Sequence, residues 1–552
     1  MSDSRLVRGT LLLTGATMAS RILGLIYIFP FVWLVGIQGQ ALYSYAYTPY
    51  TIILYVATLG LPLAVSKFVS KYNELGDYRT GRRLLKSGLI LLSLTGFLCF
   101  LIMYITAPFI ANIVVDPNAQ TGNDFDDVVL VIRVVSTALL IVPIMSVLRG
   151  YFQGFQSMGP TAVSQVVEQL FRIVFILIAS FIIVEGMNGD PAVAVAFATF
   201  GAFIGGVGGL LVLVWYWFKR RDKLNKQLEE STVDHQIPLT AMYKELFAYA
   251  IPFVLVGLAI PLYMLIDTFT VNNALKAVGF SQGEAENVFG TLQTIHKLIM
   301  IPVSLSTALG LTLIPTITKT FVSGNQTELQ RQITQTFQLL LFLTVPAAVG
   351  LSVLSYPAFG TMFPTEDILV GGHLLGWYAP TAILFALFTA TAAILQGIDK
   401  QKYAVLALFA GIVLKISLNY WLIKQFAGVG AIMGTNIGYA FAIVINLLII
   451  KKYAHYSFVF VAKRTILISI LAAAMGIAVY AGEFLLNFIF PNGYEESGFI
   501  KAVVTLIVGV GIGGVVYLLL SIRTNLLFQI MGERVRRLPF LKKKRNKQKE
   551  GS

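Results

Sequence analysis

Charge and cysteine are what this sequence has least of. Asp, Glu, Lys and Arg make up 12% of the 552 residues, against 57% hydrophobic ones; soluble domains carry about 25% charge. So little charge cannot clothe a string of water-soluble domains, and it predicts a polytopic membrane protein instead. The one cysteine, Cys99, lies in an apolar run, which excludes a disulfide framework and a thiolate metal site. His235, His296, His373 and His455 have no metal-ligand spacing, so no metal is expected. No Walker motif is present, so any work is driven by gradients or by the substrate. GVGIGG (Gly509 to Gly514) satisfies G-x-G-x-x-G, but it sits in an apolar run with no strand before it. It reads, like GAFIGGVGG (Gly201 to Gly209), as small residues that let helices approach. No cofactor follows from any of this, and neither does an enzyme, because no acid/base constellation is found.

What is present is a series of long apolar runs. Breaks at Pro, Gly and charge clusters give fourteen spans, starting near residues 7, 44, 86, 127, 161, 192, 247, 288, 334, 374, 404, 430, 466 and 500. Arg5 and Arg8 before the first run mimic a signal peptide, but its length, its Arg21 and the lack of a cleavage site predict an uncleaved helix. The net charge of +14 is spread between the spans, which excludes a nucleic-acid face and reports topology instead. Of the 41 Lys and Arg, five fall inside spans and three (Lys276, Lys424, Lys501) on one side; the rest lie on the side of the N-terminus. The positive-inside rule then puts both termini of this multi-pass protein in the cytoplasm.

The charged stretch 219–246 divides spans 1–6 (1–218) from spans 7–12 (247–452), with spans 13–14 at 453–522 and a basic tail at 523–552. The halves echo each other. QGFQSMG (Gln153 to Gly159) precedes span 5 and QGIDKQK (Gln396 to Lys402) span 11; Arg172 and Lys415 each follow their glutamine by nineteen residues. An even number of spans per half predicts a parallel repeat. The fold class is therefore all-α, two six-helix lobes plus two extra helices. The tail, apolar residues at helical spacing and then a basic run from Arg534 to Lys549, is expected to lie on anionic lipid.

Charges inside the spans are the candidate site: Arg21, Arg133, Glu168, Arg172, Asp267, Lys297 and Lys415. Arg21 lies fourteen residues into its span, about 21 Å along a helix, where an arginine costs roughly 2.5 to 3.5 kcal/mol. It shares a small, polar stripe with Thr10, Thr14, Thr17 and Gly24, a face that should meet protein or water. A cation surplus at low dielectric calls for an anionic substrate, and Arg21, Lys297, Arg172 and Lys415 are the expected binding groups. Glu168 and Asp267 are candidates for holding a coupling ion or for structural pairs, Glu168 with Arg172 four residues on. Prolines in IPFVLVGLAIP (Ile251 to Pro261) and at Pro302 and Pro315 predict kinked or broken spans around a central cavity.

SRILGLI, YTIILYVATLGLPLAVSKFVSKY, LRGYFQGFQSMGPTAVSQVVEQLFRI and ILQGIDKQ resemble the polysaccharide-exporter branch of the multidrug/oligosaccharidyl-lipid/polysaccharide superfamily. Within it, the whole chain looks like the bacterial lipid II flippase family in its Gram-positive form. The resemblance implies two six-helix lobes in a V, two further helices forming a lipid-tail groove, and alternating access. Its implied substrate is undecaprenyl-pyrophosphate-linked peptidoglycan precursor (lipid II), and its implied associates are the cell-wall synthesis machinery. Arg21 matches the family's first-helix arginine and HKLIMIP (His296 to Pro302) its eighth-helix segment, with Lys297 where relatives carry arginine. A second arginine and an aspartate of many relatives are replaced here by LIYI (Leu25 to Ile28). Another lipid-linked wall or sporulation polysaccharide precursor, or a multidrug cation antiporter of the same superfamily, are the alternatives.

Overall fold

The computed structural model describes residues 2–58, 61–231, 233, 238–489 and 494–531. The basic run from Arg534 to Lys549 lies outside them, as do the side chains of 1–11 and 305–315, which include Arg5, Arg8, Thr10 and Pro315. All regular structure among the described residues is helical. The chain runs through α1 (Ser2–Ile26), α2 (Ile28–Thr58), α3 (Leu61–Glu74), α4 (Tyr78–Val114), α5 (Phe125–Ser136), α6 (Val142–Gly154), α7 (Met158–Phe181) and α8 (Pro191–Glu229). It continues with α9 (Leu239–Gly257), α10 (Ala259–Lys276), α11 (Gln282–Val322), α12 (Gln326–Val353), α13 (Ser355–Met362), α14 (Ile368–Tyr378) and α15 (Thr381–Gly397). Last come α16 (Gln401–Tyr453), α17 (Val459–Ile489), α18 (Tyr494–Arg523) and α19 (Leu526–Met531).

Each of the fourteen expected starts falls inside a helix, but ten described stretches are long and apolar enough to cross a bilayer, eleven if the bent pair α9–α10 is one span. Helix breaks account for much of the difference. α16 runs 53 residues and holds two expected spans, separated at Ala427 (φ 48°, ψ −131°). α1 and α2 form one continuous stretch from Leu12 to Thr58. α9 and α10 bend by 52° between Gly257 and Ala259, inside the proline-flanked segment expected to kink.

The two QG motifs end helices in the same way. After α6, Gln156 (φ 54°) donates its N–H to Gln153 O and Ser157 donates to Phe152 O; after α15, Asp399 (φ 57°) donates to Gln396 O and Lys400 to Leu395 O. This is the left-handed helix stop in which the last carbonyls are capped by the departing chain. Upstream, both helices begin at a proline, Pro143 in the first turn of α6 and Pro380 capping α15. Proline's missing N–H costs nothing there and breaks each span in two.

The chain divides into two compact units, residues 1–297 with 415–431, and residues 298–414 with 432–552. The first has a core of Phe68, Tyr72, Leu84, Tyr151, Phe152 and Leu213, all at least 96% buried. In the second, Tyr439 packs edge-on against Phe385 (4.7 Å) and Phe388 (5.4 Å). Both glycine-rich stretches lie in helices. Those of α8 seat it on α7: a Cβ at Gly205 would stand 2.7 Å from Glu168 O and 3.0 Å from Arg172 Cβ. GVGIGG lies within α18, where a Cβ on Gly509 would meet Leu354 Cδ2 at 2.5 Å.

Candidate functional site

The first unit contains every charged side chain that the sequence singles out. On α2, Tyr43, Tyr47 and Tyr50 recur at the spacing that lines up one helix face. Tyr43 and Tyr47 stack at 5.0 Å, and Tyr47 and Tyr50 lie 5.3 Å apart. Arg172 of α7 reaches this stripe: Nη1 donates to Tyr47 Oη (3.2 Å) and Nη2 to Glu168 Oε1 (2.8 Å). The second Glu168 oxygen accepts from Arg149 Nη2 of α6 (2.9 Å), which also donates to Ser164 Oγ (2.8 Å). One carboxylate thus bridges two guanidiniums, and the cluster keeps one positive charge in excess. It is not sealed, since these side chains remain 11 to 14% exposed, although Arg172 Nε itself is buried with no acceptor among the described residues.

Lys415 stands fourteen residues into α16, as Arg172 stands fourteen into α7. Its surroundings differ. Its side chain is 0% exposed; Nζ donates to Asp267 Oδ2 of α10 (2.7 Å) and to Tyr263 O (3.0 Å). Asn419, one turn on, donates from Nδ2 to Asp267 Oδ1 (3.1 Å) and to Thr270 Oγ1 (2.7 Å). Each of the two carboxylates named as ion-coupling candidates therefore already faces a covalently attached cation.

Two cations have no such partner. α1 lies along α7, with Thr17 Oγ1 donating to Gln165 Oε1 (3.1 Å) and Gly24 beside Gln169. Arg21 lies between them on the same stripe; its side chain is exposed and makes no ion pair or hydrogen bond with a described residue. Lys297 of α11 is half-buried and likewise unpaired among the described residues, next to buried His296. Arg133, the remaining cation, packs over the Tyr104 ring at 4.9 Å.

At one end of this unit the loop from Asp116 to Asp124 docks on the start of α11. Asn123 donates to Glu286 Oε2 from both its backbone N and Nδ2 (2.8 Å each), and Gln282 exchanges bonds with Asp116 N (2.7 Å) and Asn123 O (3.2 Å). α11 then crosses so close to α2 that a Cβ on Gly290 would stand 2.3 Å from Ile37 O. Ile37 follows Gly36, whose φ of 71° breaks α2.

Sequence reasoning did not single out Arg149, the tyrosine stripe, Asn419 or this docked loop. The signal for the first two was present: Arg149 lies in the quoted LRGYFQG, and YSYAYTPY has tyrosines three and four apart. Asn419, 152 residues from Asp267, has no local signal.

The chain matches the polysaccharide biosynthesis protein family over residues 6–321 and the MatE family over residues 252–421. It is similar to the lipid II flippase MurJ of Bacillus subtilis, 48% identical over 548 residues that cover 99% of both chains. Among solved structures, a lipid II flippase MurJ in an inward closed conformation superposes with a TM-score of 0.66 at 16% identity, over 94% of this chain and 99% of that one. An inward-facing multidrug resistance MATE transporter superposes at 0.64, with 16% identity, over 78% and 94%.

Proposed function

The chain belongs to the polysaccharide biosynthesis protein family and, within it, to the lipid II flippases; from that premise we propose that it moves lipid II across the bacterial plasma membrane by alternating access. It is a transporter and not an enzyme. The observation that carries this reading is the full-length 48% identity to the Bacillus subtilis flippase.

The physical part of the proposal concerns which cations meet the pyrophosphate. Arg21 and Lys297 have no partner among the described residues, and the Arg149–Glu168–Arg172 cluster keeps a surplus charge. A diphosphate supplies the acceptors they lack, and an arginine fork can grip it with paired bonds. Tyr47, only half-buried beside Arg172, offers a hydroxyl to the sugars. Lys415, engaged by Asp267, holds α16 to α10 rather than gripping the substrate. The polyprenyl tail stays in lipid while the polar end crosses. With both termini cytoplasmic, an inside-negative potential drives the anion outward by about 2.3 kcal/mol per charge per 100 mV. Residues 1–218 and 247–452 would act as the rocking lobes, 453–522 as the added pair, and the tail at 523–552 as a contact with anionic lipid. The cell-wall synthesis machinery would take up the delivered precursor.

Cation antiport fits less well, because it calls for an acidic cavity and both mid-span carboxylates are neutralised. Two experiments test the reading. Depletion should cause lipid II to accumulate on the cytoplasmic leaflet; accumulation of a different lipid-linked precursor would move the protein to that substrate. Purified protein in liposomes should flip lipid II faster when an inside-negative potential is imposed.

A further inference from the structure

The second unit carries a basic cavity of about 570 Å³ lined by none of the residues assigned above to the pyrophosphate. It lies between α12, the connector leading into α17, the first turns of α17, and α19. The connector is pinned in place: Tyr456 Oη is 2.7 Å from Thr334 Oγ1, Gln330 Nε2 donates to His455 O (3.2 Å), and the Phe458 ring packs edge-on against Phe337 (5.9 Å). The walls are therefore built, not a chance gap between loops.

Three cations line the cavity, Arg331, Lys463 and Arg464, and among the described residues no carboxylate does. Glu328 neutralises Arg331 through two bonds of 2.7 Å, whereas Lys463 has no ion pair or hydrogen bond among the described residues and Arg464 stacks over Phe460 at 5.1 Å. Gln338, 6% exposed, also lines the cavity, and its amide makes no hydrogen bond among the described residues. With no partner among the described residues, that amide is open to a ligand in the cavity. Two uncompensated cations and an unused amide together ask for an anion with several acceptor oxygens.

The rim says what the anion is attached to. Val459 and Phe460 stand 62% and 51% exposed at the mouth. From Lys463 the exposed Ile466 and Ile470 follow at three and seven residues, the spacing of one helix face. An apolar track that starts at a phosphate-sized cationic cavity suits acyl chains joined to a phosphate. We propose that this cavity binds the phosphate of an anionic glycerophospholipid, with Lys463, Arg464 and Gln338 on its oxygens and the acyl chains along α17.

The test uses the full chain in a neutral detergent, with phosphatidylglycerol, phosphatidylcholine and inorganic phosphate as separate probes, read by native mass spectrometry and by thermal midpoint. Phosphatidylglycerol should remain bound and raise the midpoint, with phosphatidylcholine and phosphate doing neither. Lys463→Gln with Arg464→Gln should cut phosphatidylglycerol retention about tenfold, the loss of one to two charge-assisted bonds, and leave the midpoint without lipid unchanged. Lys463→Gln alone, at an exposed residue, should give a smaller loss and stands in if the double variant does not fold. Undiminished retention in either folded variant, or equal protection by inorganic phosphate, overturns the proposal.

Discussion

Arg21 and Lys415 are both cations in apolar helices, and their surroundings dictate opposite responses to substitution. Arg21 has no carboxylate to leave stranded, so Arg21→Ala should insert and fold at near-normal yield yet abolish flipping. Arg21→Lys should impair flipping substantially, since a point charge cannot replace the paired bonds of a guanidinium on phosphate. Lys297→Ala should resemble Arg21→Ala. Purified, monodisperse variants in liposomes under an inside-negative potential provide the measurement; full transport by Arg21→Ala would make this arginine structural. Asp267→Ala, by contrast, leaves a 0% exposed ammonium without its carboxylate. Breaking a buried pair on one side costs about 3 to 5 kcal/mol, more than replacing both partners by apolar groups. Folded yield and thermal midpoint should therefore fall sharply for Asp267→Ala and recover largely in Asp267→Leu combined with Lys415→Met.

Between elements, the loop that docks on α11 is the contact most open to perturbation. Glu286 accepts from two groups on Asn123 and from Gln282 Nε2 (3.2 Å), so Glu286→Ala removes three bonds at once. Hydrogen exchange at the Asn123 amide should quicken several-fold while exchange in α7 and α8 stays as it was; unchanged protection at Asn123 would mean that other contacts hold the loop. This scale also marks where sequence reasoning stops. Close helix approach at GAFIGGVGG was legible, because small residues four apart permit it, but that α7 is the neighbour was not. The helix stops after the QG motifs left a visible trace, since a repeated turn needs repeated residues. Arg149 was passed over although it lies in the quoted LRGYFQG, because hydropathy ends its span just before it and counts it with the loop charges. The Asp267–Lys415 pair bridges 148 residues, and no periodicity records which distant partner a buried charge finds.

For the whole molecule, the all-helical architecture followed from composition, but the number of crossings did not follow as simply. Hydropathy marks apolar length, and the backbone interrupts that length at Gly36, Ala427 and the two proline starts, so helices and spans are different units of count. One of the features these breaks position bears on how the transporter is driven. The ammonium beside Asp267 is tied to the same polypeptide as the carboxylate, and a tethered partner competes at an effective concentration of millimolar or above. Here it is also fully shielded from water. Dissolved sodium would have to displace this ammonium to reach Asp267, so no sodium gradient is expected to be spent there. Replacing all sodium by choline on both faces of the liposome should leave the flipping rate unchanged at fixed membrane potential; a collapse of the rate would mean that the lysine lets go during the cycle.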